Sequence, residues 1–453
     1  MRLATEGAAS PAKAVALDPQ LVEFARAGRL YPLLKLKELL RQLPADQAFA
    51  VFAQALELPP RVRLRALRAR SMQSAAAAGA AGYYLETGAA GLPVLCPAPR
   101  SLGEGVERDL HWRSRTAYVA CFPNARIRSR SHAIECGGEV LLDFEDWELA
   151  SLEDRLELDP AIFRSEGDAI WFIDEGRAPA LRIRRGFMLT GIHTGAFGHW
   201  MWEYLPKFLH ALGAGCLPSL SVLVDEDMPA THREVLERVL PVGSEVVQVD
   251  TLASVQVDEL WCAPSLCYMP HSPVESGRFK PDIYAVPAER FAPVMRRLQT
   301  AFFGSEEPGP HAGLLYLARR PGQHRRLENA SAIEALVRER GFQVVYPQAL
   351  SFAEQARLIR EARWVVAPEG SALCLLFLAR PGTQVAILNH ADNGGQASMT
   401  ALVEAAGIET VMLLGRRLEA HPDWAHFSSY EVEPSLLAAL LDEWHARTPS
   451  GGP

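Results

Sequence analysis

Hydrophobic and polar positions change their period several times along the chain. Leu30 to Leu40 is leucine-rich, and Ala48 to Leu58 carries apolar residues at helical spacing. Pro59-Pro60 breaks that pattern. Arg61, Arg63, Arg65, Arg68 and Arg70 follow within ten residues. Residues 1–90 therefore read as helical, with these arginines on a solvated face. Attraction to an anionic membrane surface is the sharper alternative. Ser74 to Gly82 is alanine- and glycine-rich, a helix end or linker. Gly91, Pro93, Pro97 and Pro99 mark a boundary near residue 100.

Residues 111–190 change character. Thr116–Cys121, Ala125–Ser129, Glu139–Leu142 and Ala169–Ile173 are short strand-like runs with Gly and Asp between them. From about residue 197 helices and strands alternate. Phe197 to Leu212 reads as a helix, and Leu220–Val224, Glu245–Val249 and Glu259–Cys262 as strands. Alternation of this kind predicts a parallel α/β sheet.

The pattern is clearest over 312–414. Strands are predicted at Leu314–Leu317, Phe342–Val345, Trp364–Ala367, Gln384–Leu388 and Thr410–Leu414. Helices are predicted at Ser331–Arg340, Ser351–Ala362, Ser371–Ala379 and Ala397–Ala406. Ser331 with Glu334, and Ser351 with Glu354, have the spacing of capping boxes. The whole reads as a doubly wound, Rossmann-like unit, which binds ligands beyond its strand C-termini. Pro434 opens a last helix, and Pro449 to Pro453 reads as a disordered tail.

Composition narrows the class. At 453 residues, 49% apolar and 22% charged, the chain is an ordinary soluble globular protein of several domains. Its net charge of −8 excludes general nucleic-acid binding. Seven cysteines without a C-x-x-C pair indicate neither a disulfide framework nor a zinc ribbon, and fit a reducing cytoplasm. Met1 to Pro11 has no apolar core of a signal peptide, and no apolar run reaches membrane-spanning length. Secretion and membrane spanning are not expected.

Three constellations could carry chemistry. Pro368-Glu369-Gly370-Ser371 lies between a strand and a helix, so its amides open a helix N-terminus suited to an anion. The plainer reading is a turn glycine followed by an N-cap serine. Arg319-Arg-Pro-Gly-Gln-His-Arg325-Arg326 leaves the first strand of the same unit, on the same edge of its sheet. Four arginines there repel one another unless an anion neutralises them, and the guanidinium fork suits phosphate. In His193-Thr-Gly-Ala-Phe-Gly-His199-Trp-Met-Trp-Glu203, His199 and Glu203 are i and i+4 and share a helix face. A carboxylate on an imidazole prepares a general base, although a buried structural pair gives the same pattern. Pro206 is expected to kink this helix unless it falls in a first turn. His193, His199 and His210 lack zinc spacing, and Ser371 is not in a hydrolase elbow. Asp225-Glu-Asp227 reads as a polar loop before it reads as an acidic metal triplet.

Taken in order, these pieces resemble glycosyltransferase family 61. The resemblance rests on Gly198-His-Trp200 with Glu203-Tyr-Leu-Pro206, Leu315-Tyr-Leu-Ala-Arg319 and Arg325-Arg-Leu-Glu-Asn329. It continues through Gly341-Phe342, Ser351-Phe-Ala-Glu-Gln355, Glu369-Gly-Ser-Ala-Leu373 and Leu376-Phe377, and spans about residues 110–415. Glu369 stands where the family has His, and Ala330 where it has Glu.

The resemblance implies an α/β, GT-B-like fold: two Rossmann-like domains facing a cleft, here with an N-terminal helical extension. The expected divisions are 1–100 (helical extension), 101–305 (acceptor domain), 306–432 (nucleotide-sugar domain), 433–447 (last helix) and 448–453 (tail). The implied activity is inverting transfer of a sugar from a UDP-linked donor to a glycan or other hydroxyl acceptor, in capsular or extracellular polysaccharide biosynthesis. A non-catalytic nucleotide- or sugar-binding protein and a pyruvyl transferase are the alternatives. His199 and Glu203 are the expected bases. Arg319, Arg325, Arg326, Asn329, Tyr346, Gln355, Glu369, Gly370, Ser371 and Ala372 are expected at the donor. No cofactor is required, and Mn or Mg is the divalent metal to test. The expected location is cytoplasmic, with residues 1–100 able to contact the inner membrane face or an assembly complex.

Overall fold

The computed structural model describes residues 17–105, 107–146, 148, 156–250, 253–267, 286–304, 309–320, 322, 325–391, 397–420 and 428–447. The expected tail at Pro449–Pro453 lies outside them, as do Met1–Pro11 and Pro321, Gln323 and His324 of the arginine run. The chain divides into two compact units, Met1–Ala69 with Arg155–Ala178, and Arg70–Asp154 with Pro179–Pro453.

In the first unit the leucine-rich pattern forms the helices Pro19–Arg26, Leu30–Leu39 and Ala45–Ala55. Leu36, Leu40, Ala48 and Phe52 are buried, and Phe163 meets the Phe49 and Phe52 rings edge-on. Lys37 is buried too, and its ammonium donates to the carbonyls of Glu157, Asp159 and Ile162. Burial lowers its pKa to about 8.

The arginine-rich stretch corrects the helical reading. Arg63–Ser71 is a strand, antiparallel to Ala169–Asp174, which pairs in turn with Ile162–Glu166. Arg-Leu-Arg-Ala alternates with a period of two, which suits a strand better than a helix. Arg63 and Arg65 lie by Asp174, and Arg68 by Asp168, so cross-strand carboxylates face these arginines. Tyr83–Gly88 and Pro93–Cys96 are strands as well.

The second unit holds two large sheets and a two-stranded one formed by Pro93–Cys96 and Leu110–Arg113. In the first, Glu245–Val249, Ser221–Asp225, Leu181–Met188 and Ser254–Cys262 run parallel in that spatial order. Ala117–Arg128 adds antiparallel to Ser254–Cys262, merging two short predicted runs into one strand. The second sheet is mostly parallel. Its order is Gln343–Val345, Gly313–Leu317, Ala362–Pro368, Gln384–His390 and Glu409–Arg417, then Tyr430–Glu431 antiparallel. Arg100–Gly103 pairs with Glu409–Arg417. A continuous core links the helices of both sheets. Trp202 lies against the Phe291 and Phe377 rings, and Phe208, Leu298 and Phe352 are buried around them.

Local signals mostly act as expected. Ser351 and Glu354 close a capping box on Phe352–Glu361, and the Glu234 carboxylate accepts from the Phe352 and Ala353 amides. Ser331 does not cap. The helix starts one residue earlier, at Ala330, with Asn329 in the cap position. Glu334 instead accepts from Tyr346 Oη and Arg338. Ser371–Leu378 is a 3₁₀ helix, with Leu373 to Leu378 buried on every side. Pro206 sits in the first turn of Leu205–Gly213, and the chain reaches it through a π-turn, Trp200–Tyr204. No described helix is long and apolar enough to cross a membrane.

Candidate functional site

Strand order locates the crevices. In the second sheet the first, second and third strands in sequence lie as second, first, third, so the winding reverses between Gly313–Leu317 and Ala362–Pro368. Ligands of doubly wound sheets bind at such a reversal, beyond the strand C-termini. The chain leaves those two strands into Arg319 and into Glu369-Gly370, so the arginine run and the turn converge there.

The turn is fixed by its backbone. The Glu369 amide donates to the Leu388 carbonyl (2.8 Å), and Arg319 Nη1 donates to the Glu369 carbonyl (3.4 Å). A Cβ on Gly370 would stand 3.5 Å from Arg319 Nη1, in ordinary van der Waals contact, so the guanidinium lies directly over the turn. Partial desolvation and, second to it, the charge of Arg325 lower the Arg319 pKa, while Glu369 raises it. Arg325 Nη1 donates to both Glu369 carboxylate oxygens, at 3.0 and 3.2 Å. Ser371 and Ala372 begin the 3₁₀ helix, where opening amides have no partner within the helix.

The other sequence-predicted donor residues have different surroundings. Arg326 turns away to Glu328 and Glu419. Asn329 clamps the neighbouring strand, donating to the Val432 carbonyl and accepting from its amide. Tyr346 donates to Glu334, and Gln355 donates to the Pro347 and Leu350 carbonyls. Asn329 and Gln355 hold loops of this edge in shape.

The first sheet reverses between Leu181–Met188 and Ser254–Cys262, its first and fourth parallel strands. The loop after Leu181–Met188 carries His193 and leads into the His199 helix. Four donors converge on the buried Asp225 carboxylate: Ser129 Oγ (3.0 Å), the Arg130 amide (2.7 Å), the Gly191 amide (3.1 Å) and Thr194 Oγ1 (2.6 Å). Burial raises its pKa and these bonds lower it, with burial the larger effect. His232 Nδ1 donates to the Thr194 carbonyl, and its ring stacks on Trp200 at 5.2 Å. Burial lowers the His232 pKa to about 4, so it is neutral at pH 7. Tyr204 Oη accepts from the His193 amide and bonds His132 Nε2. A Cβ on Gly191 would fall 2.5 Å from both of these atoms, so only glycine fits.

This frame leaves His193 and His199 half-buried and stacked, ring centroids 4.5 Å apart. His199 Nδ1 lies 3.3 Å from Glu203 Oε2, and Glu203 is buried. A carboxylate at Nδ1 orients the ring and leaves Nε2 as the proton acceptor. Gly198, at the start of this helix, meets the turn of the other sheet. A Cβ on it would stand 3.2 Å from Ser371 Cβ.

Asp225, His132, Tyr204 and His232 did not stand out in the sequence. Asp225 reads there as part of a polar loop or acidic triplet, and Tyr204 only as part of the Glu203-Tyr-Leu-Pro206 run. The one available signal is that Asp225 ends a fully buried strand, a costly place for a carboxylate without partners. Asp227 pairs with Arg130 near the surface. Among the described residues no group of three His, Cys, Asp or Glu is arranged to hold a metal ion.

Comparison with known proteins adds one match. The family model described as Glycosyltransferase 61 covers residues 197–386, from the His199 helix through the turn at Glu369–Ser371. No curated protein matches the chain.

Proposed function

We propose, from the match of residues 197–386 to the Glycosyltransferase 61 family model, that the protein is a glycosyltransferase and that it carries out inverting transfer from a UDP-linked sugar to a hydroxyl acceptor. The observation that carries this reading is the contact between Gly198 and Ser371. It sets a base-type pair, His199 and Glu203, next to an anion-type site built from Arg319, Arg325 and the Gly370–Ala372 turn.

Each part has a distinct task in the reaction. Arg319, Arg325 and the amides at Gly370–Ala372 neutralise charge growing on the departing diphosphate, which lowers the barrier more than equal binding of the ground state would. His199 takes the acceptor proton, with Glu203 stabilising the imidazolium that forms; direct deprotonation by Glu203 is the variant of this step. A single displacement with a base opposite the leaving group inverts the anomeric centre and forms no covalent sugar–enzyme bond. The four parallel strands of the first large sheet and the mostly parallel second sheet support a GT-B-like arrangement, with the second sheet holding the donor. The acceptor on this reading is a glycan hydroxyl in capsular or extracellular polysaccharide synthesis, and the reaction would proceed in the cytoplasm.

The test is a panel of UDP-sugars with and without Mn or Mg, followed by release of UDP. One donor should be consumed, with His199→Ala and Glu203→Ala each slowing turnover by roughly 10²–10⁴-fold. Full turnover in both variants removes the proposed base. Release of no UDP from any donor, by protein that also fails to bind UDP, removes the proposed donor.

A further inference from the structure

The anion site already contains an anion. Glu369 offers its carbonyl to Arg319 and its carboxylate to Arg325, so one residue engages both guanidinium groups expected to grip the donor. The carboxylate pair is sheltered, the Arg325 and Glu369 side chains being 24% and 10% exposed. Shelter strengthens such a charge-assisted contact relative to a surface pair. Arg326 points away from that contact, toward Glu328 and Glu419.

Both partners are held at their backbones. Arg325 has a left-handed backbone (φ 54°), unusual for a residue with a side chain. The chain after it is bolted to the next strand: the Tyr430 amide donates to the Arg326 carbonyl, the Glu328 amide to the Tyr430 carbonyl, and Asn329 clamps Val432. Glu369 is also fixed at its backbone, through Leu388, but its carboxylate ends a flexible side chain. An incoming phosphate therefore meets an arginine anchored at its backbone and a carboxylate that competes for its guanidinium.

We propose that Glu369 is an internal competitor for the donor's phosphates, holding Arg325 in its anion-binding pose and releasing it when a nucleoside diphosphate enters. This rests on the donor-site reading above. The carboxylate lowers affinity for diphosphate by like-charge repulsion and by occupying Arg325, and it narrows the preference for a diphosphate over a monophosphate. Glu369 is thus a specificity-determining residue: it keeps the site weak for stray polyanions and quick to release UDP after transfer.

The experiment is calorimetric titration of the full-length protein with UDP, UMP and inorganic pyrophosphate, for wild type, Glu369→Gln and Glu369→Ala. Gln keeps the shape and an acceptor for Arg325 while removing the charge. UDP affinity should rise about tenfold in Glu369→Gln, and the UDP-to-UMP affinity ratio should rise with it. Glu369→Ala should move both quantities in the same direction, with thermal melts showing that both variants remain folded. Equal or weaker UDP binding by both folded variants overturns the proposal while leaving the donor reading intact. If UDP binds neither wild type nor variant, the donor reading falls and pyrophosphate decides the remainder: tighter binding by the variants upholds Glu369 as an internal competitor, and unchanged or weaker binding refutes it.

Discussion

Gly198 and Ser371 lie against each other, so that a Cβ on the glycine would stand 3.2 Å from the serine Cβ. The contact joins the start of the His199 helix to the turn at the rim of the second sheet. Gly198→Ala would push these segments apart by a few tenths of an ångström at the place where reacting groups must align. The expected result is a loss of about tenfold in kcat with little change in melting temperature. Steady-state kinetics beside a thermal melt checks it, and unaltered kcat would show that the contact does not set the geometry.

Asp225 gathers four donors from two separate segments, Ser129–Arg130 and Gly191–Thr194, at the end of its strand. Removing the carboxylate in Asp225→Ala strands these buried groups. Stability should fall by roughly 2–4 kcal/mol, since several unmet hydrogen bonds each cost about 1–3 kcal/mol and relaxation recovers part. Asp225→Asn keeps the shape and should lose less. Urea denaturation with an unchanged slope measures the difference.

Acid should loosen the same loop. The His232 pKa lies near 4 in the folded protein, because burial disfavours the charged ring, against an ordinary 6.5. Between those values the unfolded chain binds a proton that the folded protein does not, so stability falls as pH drops from 6.5 to 4. The slope approaches about 1.4 kcal/mol per pH unit for this residue. Burial and the Arg290 charge put His210 in the same range, and it adds to the slope. Urea midpoints at pH 7, 5.5 and 4.5 should decline, and less steeply in His232→Phe.

Arg319→Ala removes a guanidinium from the proposed donor site. UDP affinity should fall roughly tenfold to a hundredfold, the worth of one charged phosphate contact. Calorimetry on the full chain measures it, with Arg326→Ala as a comparison expected to change little because Glu328 and Glu419 hold that side chain.

The second sheet was readable from sequence because its strands are apolar runs separated by amphipathic helices, and its capping box at Ser351–Glu354 is a local signal. The meeting of Arg319 with the Glu369 turn was readable for a different reason: strand order in such sheets forces consecutive loops to one edge. Arg63–Ser71 was misread because arginines spaced by small apolar residues satisfy both a helix face and a strand. The two-residue alternation of Arg63-Leu-Arg-Ala66 favours the strand, and its antiparallel partner at Ala169–Asp174, about a hundred residues on, completes it. Ser331 was misread because spacing does not tell where a helix begins. For the Asp225 hub the sequence offers only a carboxylate at the end of an apolar strand: its donors at Ser129, Arg130, Gly191 and Thr194 come from loops that the folded sheet brings together.

A crystal structure of the protein with UDP bound tests the donor site most directly. The account predicts phosphate oxygens within hydrogen-bond distance of the Arg319 and Arg325 guanidinium groups, above the amides at Gly370–Ala372, with the Glu369 carboxylate swung off Arg325. UDP seated elsewhere, with the Arg325–Glu369 pair intact and the rim at Gly370 untouched, would contradict it.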